Sequence, residues 1–255
     1  MQIVTLINQK GGVSKTTTAF SLGVGLHKKG YRVLFVDLDA QSNLSFTAKV
    51  DLLNLDTTMY DVFKGKATVS DALIPLDKGM GILVGGIDLA SADREFTTTR
   101  RCYMLREHLE ELQADYDYCV IDTAPTLGVM SENALTATDK VIIPMRTDAY
   151  ALQGVRQLKG FIDEQRKYTN PNLIIDGILL TCTKKTNLTK ILKEPFEQVA
   201  EQFGTRLYRT TIRETVSVPE TALNRSNVFD YAPQATATHD YKDFINEFLE
   251  GAKDI

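Results

Sequence analysis

Short apolar runs and stretches of helical apolar spacing alternate along the chain. Ile3–Ile7 is an apolar run of strand length, and Ala19, Phe20, Leu22, Val24 and Leu26 then recur at a helical interval. Lys28-Lys29-Gly30 closes that helix with charge followed by glycine. Tyr31–Asp39 (YRVLFVDLD) predicts a second, fully buried strand, and further strands are predicted at Ile82–Val84, Tyr116–Asp122, Lys140–Pro144 and Leu173–Leu180. Helical spacing is found around Met59–Phe63, Val69–Leu73, Arg100–Leu112, Tyr150–Tyr168, Leu188–Phe203 and Tyr241–Leu249. Strands alternate with helices and no linker-like stretch intervenes. The pattern predicts one doubly wound α/β domain over residues 1–255, a mostly parallel sheet with helices on both faces.

The first junction in this pattern carries the most chemistry. Between the first strand and the first helix lie Gln9-Lys10-Gly11-Gly12-Val13-Ser14-Lys15-Thr16-Thr17. Strand, glycine-rich loop, then helix with Lys-Thr in its first turn is the layout of a phosphate-binding loop. Backbone N–H groups and the helix dipole there face a polyphosphate. Lys15 is then the lysine on the β- and γ-phosphates and Thr16 the magnesium ligand. The standard spacing, Gly-x-x-x-x-Gly-Lys-[Ser/Thr], is not met, because Gln9 and Ser14 replace its two glycines. A left-handed backbone at Ser14 would be strained. Asp37 and Asp39 end the second strand and Asp122 ends the fourth, at the strand ends where ligands of open parallel sheets bind. Taken singly, each motif has a plainer reading: a Gly-Gly turn with incidental lysines, a solvated Asp turn, a buried strand that happens to end in Asp.

Composition narrows the class. Apolar and charged fractions of 43% and 24% are those of an ordinary globular protein. Cys102, Cys119 and Cys182 are far apart and form no Cys-x-x-Cys, which argues against a disulfide framework and fits a reducing cytoplasm. The chain opens on a strand with no basic leader, and no run of about 18 apolar residues is present. A net charge of −4 argues against a generally basic nucleic-acid binder. The charge is unevenly placed: Thr181–Arg225 holds eight Lys/Arg against five Asp/Glu, whereas Ser226 onward holds two against six.

The loop Lys-Gly-Gly-x-x-Lys-Thr-Thr resembles the deviant Walker A loop of the ParA/MinD ATPases, in which a second lysine, here Lys10, opens the loop. Asp37-x-Asp39-Ala40-Gln41 is similar to that family's Asp-x-Asp-Pro-Gln, with Ala40 in place of Pro. Asp122-Thr123-Ala124-Pro125 resembles its second switch, and Tyr150-Ala151-Leu152-Gln153-Gly154 a further family segment. The Asp-Leu-Ala of Ile87–Asp93 resembles one near its dimer face. The likeness runs from Ile3 to about Leu249 and is nearest the short, Soj-like partition ATPases.

The resemblance implies an ATPase (ATP + water to ADP + phosphate), slow and stimulated by a partner, with ATP and Mg2+ as cofactors. It implies that residues 10–17 (Lys10, Gly11, Gly12, Val13, Ser14, Lys15, Thr16, Thr17) hold the nucleotide. Thr16 would bind the metal directly, Asp37 and Asp122 would do so through water, and Asp39 would orient the lytic water. Lys10 would act across an ATP-held homodimer. Base contacts are implied at the loop of Arg213 and Thr215, although Arg213 stands where Pro is usual. Non-specific double-stranded DNA contacts are implied at Lys185, with Lys184 beside it. Another family basic site falls on Ser217. A ParB-like DNA-binding partner and a nucleoid-associated cytoplasmic location complete the expectation. Two alternatives stand beside it: a MinD-like positioning ATPase, disfavoured by the acidic C-terminal end at Glu247, Glu250 and Asp254, and a P-loop enzyme acting on a small molecule. An iron-sulfur reductase would need paired cluster cysteines that the sequence lacks.

Overall fold

The computed structural model describes residues 1–148, 152, 154–184 and 187–251, with side chains in the last span from residue 194 onward. In chain order the elements begin β1 (Gln2–Leu6), α1 (Lys15–Lys28), β2 (Val33–Leu38) and α2 (Asn43–Thr47). Next come α3 (Met59–Phe63), α4 (Val69–Ala72), β3 (Leu73–Asp77), β4 (Met80–Val84), a 3-10 turn (Ile87–Ser91) and α5 (Ala92–Glu95). The middle of the chain forms α6 (Met104–Glu111), β5 (Tyr118–Thr123), α7 (Val129–Ala137), β6 (Lys140–Arg146), α8 (Val155–Tyr168) and β7 (Ile174–Thr181). It closes with α9 (Asn187–Phe203), β8 (Arg206–Leu207), α10 (Ser217–Leu223), α11 (Val228–Tyr231) and α12 (Thr236–Gly251).

The eight strands form one sheet in the order β3-β4-β2-β5-β1-β6-β7-β8. All neighbouring pairs are parallel except the edge pair β3–β4. Alternation along the strands sends side chains to two layers. Val33 and Phe35 of β2 pack with α1 and α12, while Leu34 and Val36 pack with α3, α4, α6 and α7. Beyond β1, strands β6 and β7 bury Ile143 and Leu180 against α8 and α9. This is the mostly parallel sheet with helices on both faces that the sequence predicts.

α1 sits unusually close to the sheet. A Cβ on Gly23 would lie 2.2 Å from the Phe35 ring, so the missing side chain is what lets helix and strand touch. The loop after β1 leads directly into α1, whose first turn carries Lys15 and Thr16. The apolar face of α12 is spent inward: Tyr241, Phe244, Ile245 and Phe248 are all buried in the layer shared with α1. Among the described residues no helix is long and apolar enough to cross a membrane.

Candidate functional site

A cavity of about 730 Å³ opens at the carboxyl ends of the strands, within the size range of small-ligand sites. Gly11, Gly12, residues 14–17, Asp39 and Pro125 are among the residues that line it. Gly12 has φ of +70°, and Ser14, the residue just before α1, has φ 62° and ψ 31°. The backbone conformation that calls for glycine is therefore kept by a serine, at a cost of about 1–2 kcal/mol. Ser14→Gly should stabilise the nucleotide-free protein by about 0.5–1 kcal/mol, read from its urea midpoint. An unchanged or lower midpoint would show that the serine side chain, 3.4 Å from Cys182 Sγ, repays the strain.

Lys15 is buried, and its Nζ lies 3.4 Å from the carbonyl oxygen of Lys10. Burial lowers its pKa, while the charges of Asp122 and Asp39 pull it back up. Thr16 and Thr17 both face the cavity. Val13 does not; its side chain is in the core and its carbonyl accepts from the Thr181 hydroxyl.

Asp37 and Asp122 are direct cross-strand neighbours in the β2–β5 ladder, and neither is exposed. Asp37 accepts from the Ser45 backbone N–H at 2.9 Å and the Ser45 hydroxyl at 2.7 Å, which ties α2 to the end of β2. Asp122 has no such support: no donor reaches hydrogen-bonding geometry on either of its carboxylate oxygens. Burial pushes Asp37 up to about 6. It pushes Asp122 up to about 8, with the Asp37 charge adding to the rise and Thr16 and Lys15 opposing it. Asp39 is half-exposed at the cavity edge, its carboxylate accepting from the Gln41 N–H at 3.0 Å.

Lys10 points away from the cavity. Its ammonium is paired with Asp148 at 2.6 Å, and Arg146 lies 3.7 Å from the same carboxylate. The loop of Arg213 and Thr215, expected on the base side, is engaged within the chain. Arg213 does not reach the cavity, because its guanidinium is held on Asp240 of α12 by both Nε and Nη2. An arginine in place of the usual proline supplies a fork that the nearly buried Asp240 carboxylate captures. Thr215 is turned to the Ser217 hydroxyl, 3.0 Å away. The opposite wall is built instead from Phe46 and Thr47 of α2, Pro219 and Leu223 of α10, and Asn227. Arg225 binds these parts together: it donates to the carbonyls of Phe46 and Val50 and stacks 4.8 Å from the Phe46 ring centroid. Nothing local in the sequence marks this wall, since its halves lie about 180 residues apart.

Among the described residues, basic side chains of the stretch after β7 are engaged within the chain. Lys184 pairs with Glu214 at 2.8 Å, Arg206 with Asp176 at 2.8 Å, and Arg209 with Glu250 at 3.2 Å. Lys185, Tyr150, Ala151, Gln153 and Asp254 lie outside the described residues.

Comparison with known proteins fits this geometry. A family model described as an AAA domain matches residues 1–175. Over its full length the chain is 34% identical to the chromosome partitioning protein ParA of Caulobacter vibrioides, covering 96% of that protein. The sporulation initiation inhibitor protein Soj of Bacillus subtilis is also 34% identical, over 96% of this chain and 97% of its own. The chain belongs to the ParA/Soj family of partition ATPases. Among solved structures, cobyrinic acid a,c-diamide synthase from Mycobacterium smegmatis with bound ATP analog and magnesium superposes with a TM-score of 0.86. It is 32% identical over 99% of this chain and 96% of that one. The phosphate loop, the paired Asp strand and the Asp-ended β5 thus stand in a ParA/Soj-family frame.

Proposed function

We propose that this chain is a single ATPase domain that binds ATP and magnesium, dimerises around the nucleotide, and in that state carries DNA cargo over non-specific DNA. The observation that carries the nucleotide part is a buried Lys15, lining a cavity of nucleotide size, near a buried Asp122 whose oxygens have no donor in hydrogen-bonding geometry. Two orphaned carboxylate oxygens next to a threonine hydroxyl are a hard donor set that suits magnesium. Thr16 would hold the metal directly, and Asp37 and Asp122 through water. Bound there, it supplies charge neutralisation for the polyphosphate.

The chain's own groups then divide the remaining work. The loop amides from Gly11 to Thr17 and the Lys15 ammonium bind and orient the phosphates. Asp39, at the cavity edge, orients the attacking water. Lys10 leaves Asp148 to meet the nucleotide of a second copy, so ATP favours the dimer by mass action. A ParB-like DNA-binding protein is the partner expected to raise a slow basal turnover, and DNA contacts by Lys184 and Lys185 would place the dimer on the nucleoid.

A second reading, an ATP-using enzyme acting on a small molecule, is favoured by the name of the mycobacterial structure. Turnover that depends on a small acid or amine, and not on DNA or a protein, would favour it. A membrane-cycling role has little support, because the apolar face of α12 is already used in the core.

Light scattering after size exclusion tests the dimer. Wild type should double its mass with ATP and remain a monomer with ADP. Lys10→Ala should bind ATP and stay monomeric. Asp39→Ala should dimerise but turn over about 10²-fold more slowly. A Lys10→Ala variant that dimerises normally, or an Asp39→Ala variant with wild-type turnover, would contradict these roles.

A further inference from the structure

The loop from Ala124 to Gly128 joins Asp122 and Thr123 of β5 to the first turn of α7, and Pro125 lines the cavity with Lys15 and Asp39. Its first end is fixed in the sheet, where the Thr123 hydroxyl donates to the Leu6 carbonyl at 2.9 Å. Its second end is an α-helix N-terminus whose cap residue, Gly128, has no side-chain acceptor to offer. The acceptor comes from elsewhere in the chain. The Asp93 carboxylate of α5 accepts from the Val129 N–H at 2.7 Å. A Cβ on residue 128 would lie 2.5 Å from both Asp93 oxygens, so glycine is what admits the carboxylate.

Asp93 is itself held in place. Two residues on, Glu95 accepts from the Tyr60 hydroxyl at 2.6 Å, the Lys64 ammonium at 2.9 Å and the Ser91 hydroxyl. These bonds fasten α5 to α3. Within the loop, Thr126 is tied back to α7 by the Ser131 hydroxyl, which donates to its carbonyl at 2.5 Å. A five-residue loop that lines the cavity through Pro125 is therefore stretched between two fixed points, and one of them is the Asp93 cap.

Resting on the ATPase reading above, we propose that Asp93 is a positioning residue for ATP turnover: by capping α7 across Gly128 it sets the backbone of residues 124–128, the loop that brings Pro125 to the cavity. The cap lies away from the rest of the nucleotide seat, so its loss should be felt where the loop meets the substrate and little elsewhere. An error of about 1 Å in such a group lowers turnover by about one to two orders of magnitude.

Turnover across an ATP series and ADP affinity by calorimetry test this in wild type, Asp93→Ala, Asp93→Asn and Gly128→Ala. Asp93→Ala and Gly128→Ala should each lower kcat about tenfold, with ADP affinity within about twofold of wild type. Their combination should cost no more than either alone, because both remove one contact. Asp93→Asn retains an acceptor oxygen and should recover most of kcat. If Gly128→Ala fails to fold, the Ala and Asn variants of Asp93 decide the matter. Wild-type kcat in Asp93→Ala, no recovery in Asp93→Asn, or an equal loss of ADP affinity would overturn the proposal. Wild type measured alongside separates the two claims. No turnover and no ADP binding in wild type would sink the ATPase reading, whereas a normal wild type with an unaffected Asp93→Ala variant would sink this inference alone.

Discussion

Asp122→Asn is expected to be more stable than wild type without nucleotide, and close to inactive. Asp122 is buried, no donor reaches hydrogen-bonding geometry on its oxygens, and it faces Asp37 across the ladder, so its charge is costly in the free protein even with Thr16 and Lys15 nearby. The pH dependence follows from the two raised values. The folded chain keeps protons on Asp37 to about 6 and on Asp122 to about 8, whereas the unfolded chain releases them near 4. Between those limits the folded state binds more protons, so stability falls as pH rises. The pair contributes most near pH 4 and loses that contribution through pH 8. Urea unfolding should show wild type weaker at pH 8.5 than at pH 6 by about 1–3 kcal/mol. Asp122→Asn should be nearly level over the same range, since only Asp37 remains and it is already half ionised at pH 6. Turnover should drop by about 10²-fold or more, because the group that faces the metal site is lost. An Asn variant less stable than wild type at both pH values would mean that the Asp122 carboxyl supports the free fold.

This trade of stability for function also shows what can be read from sequence. The strand and helix alternation was legible because buried parallel strands are nearly continuous apolar runs, as in VLFVDL of β2. β3 was not, because Leu73–Asp77 is a half-exposed edge strand interrupted by Pro75. That the glycine-rich loop would join β1 to α1, with Asp37 and Asp122 at strand ends, was legible from local order alone. Three features were not, because each is a meeting of distant residues: the orphaned state of Asp122, the Asp93 cap on α7 and the Phe46–Arg225 wall. The pairing of Arg213 with Asp240 belongs with them. A buried carboxylate 27 residues later decides where the Arg213 guanidinium rests.

Lys15→Ala is expected to abolish measurable nucleotide binding. Lys15 is the one buried cation that adjoins the cavity among the described residues, and its charge is held between Asp122 and Asp39. Truncation removes the point charge on the phosphates and leaves those carboxylates facing the incoming polyphosphate. Both changes act in the same direction, so ATP affinity should fall by at least about 10²-fold, or about 3 kcal/mol. Calorimetry at pH 7.5 with magnesium present reads this directly. Retention of wild-type ATP affinity would remove the phosphate loop from the account.

The central claim, an ATP-switched carrier of DNA, is tested most directly by anisotropy of a random labelled duplex across a salt series with ATP, ADP or no nucleotide. A monomer of net charge −4, with Lys184, Arg206 and Arg209 already facing carboxylates, should bind poorly because few phosphates are neutralised at once. Two copies on one ATP-held dimer double those contacts and add effective concentration. Binding should therefore appear only with ATP, ignore sequence, and weaken with salt at a log–log slope of about −0.9 per phosphate contacted. Reversing Lys184 and Lys185 to Glu should remove most of it while DNA-free ATP turnover stays unchanged. Equal binding in all three nucleotide states, or none in any, would contradict the account.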